Sequence, residues 1–146
     1  MRNLLVFLHL SAAIFWMGGM AFVVLALRPS LAQLAPPQRL PLMVQVLRRF
    51  FAVVAISILV LLATGVPLLQ VPGPQAPRGF HVMAGLGIVM MLVFGHIFFS
   101  PWKRVQRAVA AQDWPEGGKR LNQIALLVKI NLGLGWLAIA AVLLWR

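Results

Sequence analysis

Residues 50–69 read FFAVVAISILVLLATGVPLL, twenty consecutive positions without a charge. At 1.5 Å of rise per residue an α-helix of this length extends about 30 Å, which is the thickness of a bilayer's hydrocarbon core. Arg48-Arg49 stand immediately before the run, and Gln70 to Gly79 after it holds three prolines and two glycines. A cationic entry, an apolar span and a tight extramembrane turn therefore follow one another.

The same pattern recurs on both sides. Asn3 to Leu27 is a second apolar run, too long for the apolar region of a cleavable signal peptide, and Phe80 to Phe99 and Leu121 to Trp145 are two more. The expected fold is an all-α, integral-membrane four-helix bundle with spans at about 3–27, 42–69, 80–99 and 121–145, forming one transmembrane domain over 1–146. Arg28-Pro29 is expected to end the first span, residues 28–40 to form a loop, and the second helix to start near Pro41. Ser100-Pro101-Trp102-Lys103 marks an interface by its aromatic and its cation, and 104–120 reads as a polar, partly helical connection.

Composition agrees with a lipid solvent. Of 146 residues, 62% are hydrophobic and 10% charged, outside the range of ordinary soluble domains. The net charge of +11 does not read as nucleic-acid binding, because the cations cluster between the apolar runs. Arg28, Arg39, Arg48 and Arg49 flank the first connection, and Lys103, Arg104, Arg107, Lys119 and Arg120 the third, against Arg2, Arg78 and Arg146 at the other face. Nine cations against three orient both basic connections to the cytoplasm and both termini outward. The absence of cysteine excludes disulfides, thiolate metal sites, iron–sulfur clusters and covalent haem.

All three histidines fall in or at the edge of the spans: His9 in the first, His81 and His96 in the third. Ionisable groups there are costly and need a reason. Counted from Arg2 and Arg78, His9 and His81 lie about 10 Å and about 4 to 5 Å below the outer boundary, while His96 lies about 10 Å from the inner one. Two imidazoles at similar depth on different helices suit the axial positions of a haem b. Ala12, Ala13 and Gly85 thin the same faces, Arg78 could meet a propionate, and Trp16 could pack on the ring. His96, about 22 Å along the third helix from His81, is the candidate for a second haem. Each histidine could instead bond a carbonyl within the bundle.

Copper is the competing ligand chemistry. Thioethers and imidazoles suit Cu(I), and Met17 and Met20 share a face of the first helix, although seven methionines in an apolar bundle also serve as core fillers. Lys129 is the one cation within an apolar span, and its charge calls for a propionate, an anionic substrate or a reach to the inner interface. The only two acids, Asp113 and Glu116, lie in the basic connection. With no membrane carboxylate and no assembled nucleophile and base, hydrolysis and proton pumping are disfavoured. Glycines 18, 19, 85, 87, 95, 133 and 135 permit close approach of a helix or a flat ligand.

Leu8-His9-Leu10, Phe15-Trp16-Met17-Gly18-Gly19, Gly79-Phe80-His81-Val82-Met83, Gly95-His96 and Asn131-Leu132-Gly133-Leu134-Gly135 together resemble the bacterial CopD-type membrane proteins, named for copper resistance, and the related HemJ-type protoporphyrinogen oxidases. The resemblance implies a four-helix unit of the bacterial inner membrane, paired as a homodimer. His9 and a histidine of the third helix are then candidate haem ligands. Met83 stands near the position where HemJ relatives carry a lysine. Taken together, the residues favour a haem b protein with a redox or electron-transfer role; a membrane haem-dependent oxidoreductase is one form it could take, and the sequence names no redox partner. Copper handling and protoporphyrinogen oxidation are the alternatives.

Overall fold

A computed structural model describes residues 1–145 as helices and short turns, with no strand among them. Five helices organise the chain: α1 (Arg2–Leu31), α2 (Pro36–Gln70), α3 (Arg78–Phe99), α4 (Pro101–Ala110) and α5 (Trp114–Leu144). Four segments are long and apolar enough to cross a membrane: α1, α2, α3 together with α4, and α5. The four-span bundle expected from the hydropathy pattern is therefore the observed fold, and the chain is a multi-pass membrane protein. Arg146, counted above among the outer-face cations, lies outside the described residues.

The first connection differs from expectation. Pro29 does not end α1: the helix continues to Leu31, and α2 begins at Pro36 rather than near Pro41, leaving 32–35 as the link. The reason is a π-helical segment at Val23–Leu27, where the Arg28 N–H donates to the Val23 carbonyl five residues back. That wider turn accommodates a proline whose ring would otherwise press on the carbonyl four residues earlier. At α2, Pro36 and Pro37 occupy first-turn positions where a missing N–H costs nothing, and Pro41 is carried inside the helix.

The chain folds as two helical hairpins, α1 on α2 and α3 on α5, which meet along a common core. Ser100, with φ −121° and ψ −86°, breaks the chain between α3 and α4 ahead of Pro101. Here the proline does stop a helix, and α4 turns back onto α5. The helix α4 buries Pro101, Trp102, Val105 and Ala108 and exposes Lys103, Arg104 and Arg107, as expected for an interfacial amphipathic helix. The partly helical reading of 104–120 resolves into α4, a turn, and the first turns of α5. That last helix starts at Asp113, whose carboxylate accepts from the Glu116 N–H at 3.3 Å.

At the basic end Phe51 meets Trp102 edge-on at 5.0 Å and Phe94 at 5.6 Å. Further along the bundle Trp16, Met20, Met43, Met90 and Val128 continue the core. Between 11% and 22% of each span's apolar window is buried within the chain. The remainder, including Phe7, Ile14, Leu59, Leu92 and Leu137, suits contact with lipid rather than water.

Candidate functional site

Three helices converge near the middle of the bundle on Gly135 of α5. A Cβ at that position would collide with Met17 Sδ from α1 and stand 3.2 Å from Met90 Cε of α3. The absent side chain is therefore what lets the Met17 thioether and the terminal methyl of Met90, from different helices, close on one spot. At 1.5 Å per residue, Met90 lies about 18 Å along α3 from Arg78, and Met17 about 22 Å along α1 from Arg2. In a hydrocarbon core about 30 Å thick, Met90 is near the middle and Met17 lies past it, toward the inner side.

One turn before Gly135, Asn131 is 2% exposed, and its Nδ2 donates to the Met90 carbonyl at 3.0 Å. Its Oδ1 is buried without a partner. A carbonyl oxygen stripped of water and of donors costs about 1–3 kcal/mol, and where it persists it calls for an explanation. Here it stands one helical turn from the paired methionines, so thioether sulfur and an unengaged amide oxygen share one region. Met20, also buried, joins the same core. Met17, three residues before Met20 on α1, also approaches Met90 of α3 across the bundle at Gly135.

The histidines take different surroundings. His9 is half-buried against α2, where its Nδ1–H donates to Thr64 Oγ1 at 2.9 Å. The Thr64 hydroxyl proton is engaged at 2.7 Å by the Val60 carbonyl. This arrangement selects the tautomer with the proton on Nδ1 and leaves the Nε2 lone pair of His9 free to ligate. His81 and His96 are both exposed on α3, on one outward face with Gly85 and Leu92. A Cβ on Gly85 would meet nothing within 4 Å. Arg78 is exposed at the start of α3 and Trp16 is buried in the core. Lys129 is exposed and faces a groove shared with Arg28 and Arg39 rather than the methionines.

No group of three or more His, Cys, Asp or Glu side chains is gathered among the described residues. The soft donors present in the bundle are methionine thioethers and single imidazoles. Thr64 and the Met17–Met90 approach were not singled out from the sequence. Thr64 was visible as a hydroxyl within an apolar run, whereas the methionine pair joins positions 73 residues apart and has no local signal.

A family model described as copper resistance protein D matches residues 44–145. The chain belongs to the CopD family. The matched part of this CopD protein begins in α2 and includes Thr64, His81, Met90, His96, Lys129, Asn131 and Gly135, while His9, Trp16, Met17 and Met20 precede it. No curated protein and no solved structure matches the chain.

Proposed function

We propose that this CopD-family protein handles copper in the membrane, taking Cu(I) as cargo at the thioethers of Met17 and Met90 beside Asn131. The observation that carries this reading is the convergence of the two methionines on Gly135. Thioether sulfur is soft and neutral and favours Cu(I) over harder divalent ions. The Asn131 Oδ1, with no donor of its own, would orient a carbonyl dipole toward a cation in a low-dielectric interior. Membership of a family described by copper resistance supports the same direction. It also reverses the ranking drawn from the sequence, which put haem first.

The test is an anaerobic Cu(I) titration of the detergent-purified protein against a chromophoric chelator, with haem quantified on the same sample. The expected result is one bound Cu(I), and at least about tenfold weaker binding in Met17→Leu/Met90→Leu, since losing a metal's supporting groups alone costs tenfold or more. Unchanged affinity in that variant would remove the site.

A second reading, haem b ligation with a redox role, is favoured by one observation: His9 keeps its Nε2 lone pair free while Thr64 holds its Nδ1–H. In this reading a second copy of the chain covers the α3 face that carries His81 and His96, as the expected homodimer would. A Soret band at near-stoichiometric haem, lost in His9→Ala, would favour it over copper. Newly formed protoporphyrin fluorescence would move it on to the HemJ-like oxidation.

A further inference from the structure

At the basic end of the bundle the terminus of α1, the first turns of α2 and the face of α5 enclose a groove of about 430 Å³, and Arg28, Arg39 and Lys129 line it. It adjoins a second depression, sharing Arg39, Gly118 and Asn122, that adds Lys119. Four cations therefore border two adjoining recesses, and no carboxylate lines either. The chain has only two acids, and both are engaged elsewhere: Asp113 caps α5 and Glu116 pairs with Arg120 at 2.7 Å. Arg28 is held in place by a hydrogen bond from its Nη2 to Asn122 Oδ1 at 2.6 Å. Val24, Leu31, Leu40 and Met43 form the apolar wall.

Like charges gathered without a counter-charge repel one another, and a recess that holds them is stabilised by an anion. We propose that this groove binds an anionic phosphate, with the apolar wall receiving whatever hydrocarbon the phosphate carries. Arg28 follows directly on the π-helical segment of α1 and lines the recess. Basic pockets between membrane helices at this depth recognise anionic headgroups, and each cation near the surface contributes a factor of roughly five in affinity. The site is separate from the methionine pair and does not depend on the copper reading.

Native mass spectrometry of the full chain released from detergent tests it, with three probes: dioleoylphosphatidylglycerol, dioleoylphosphatidylcholine and inorganic pyrophosphate. Arg28→Gln/Lys129→Gln is expected to weaken binding of the anionic probe by roughly 25-fold, while Arg48→Gln/Arg49→Gln, exposed and outside the groove, leaves it unchanged. Selective loss of phosphatidylglycerol identifies a lipid headgroup, and selective loss of pyrophosphate a soluble phosphate. Equal retention of the zwitterionic lipid, or equal loss in both variant pairs, or no binding of either anion, overturns the proposal. Should the double variant fail to fold, Lys129→Gln alone, at an exposed position, is expected to weaken binding by roughly fivefold.

Discussion

Asn131 combines two states in one side chain: its amide nitrogen ties α5 to the Met90 carbonyl, while its oxygen has no partner. The Met90 carbonyl sits within a helix, so replacing Asn131 by leucine strands no acceptor. Asn131→Leu is therefore expected to leave stability unchanged or raise it by roughly 1 kcal/mol, read as the thermal midpoint in detergent, while Cu(I) affinity falls. A large loss of stability would mean that the oxygen already has a structural role. Thr64→Val removes the acceptor for His9 Nδ1–H, and hydrogen bonds between membrane helices contribute on the order of 1 kcal/mol. A fall of that size, rescued by Thr64→Ser, is expected, and no change would mean that the bond is not formed in the membrane. The histidines as polar anomalies and Asn131 as a member of a resembling motif were legible in the sequence. That Met17 meets Met90 was not, because helix periodicity assigns a residue to a face without saying which helix lies opposite.

Among the elements, the α3–α5 hairpin depends on one close approach. The Gly79 N–H donates to the Trp145 carbonyl at 3.1 Å, and a Cβ on Gly79 would strike the Ala141 carbonyl and stand 2.7 Å from that of Trp145. Backbone cannot yield as a side chain can, so Gly79→Ala is expected to destabilise by about 1–3 kcal/mol, whereas Gly85→Ala, with open space, should be nearly silent in the monomer. At the opposite end Trp102 fixes α4 to the core through Phe51. Trp102→Ala is expected to cost about 3–5 kcal/mol and to release α4 to limited proteolysis between Ser100 and Asp113. Equal protease resistance would show that Val105 and Ala108 suffice. The two prolines Pro29 and Pro101 illustrate what the sequence leaves open. Pro101 stops α3 and Pro29 does not stop α1, since a π-turn can absorb a proline and its formation is decided by packing beyond the local residues.

For the whole molecule, the nine-to-three division of cations predicts that both basic connections face the cytoplasm. The chain lacks cysteine, so Gln112→Cys and Gln75→Cys introduce single reporters at opposite ends of the bundle. In intact spheroplasts an impermeant maleimide is expected to label Gln75→Cys alone, and the reverse pattern would invert the topology. Four spans, their approximate limits and that orientation followed from the sequence by itself, because hydrocarbon thickness and the cost of burying charge act on composition and length, which are local properties of the chain. The α1 extension, the methionine convergence at Gly135, the turning of His9 to Thr64 and the gathering of Arg28, Arg39 and Lys129 were decided only by the tertiary structure. The last three join residues on different helices, and between helices in lipid the contacts are set by shape and by the fit of small residues, which no periodicity along one chain encodes.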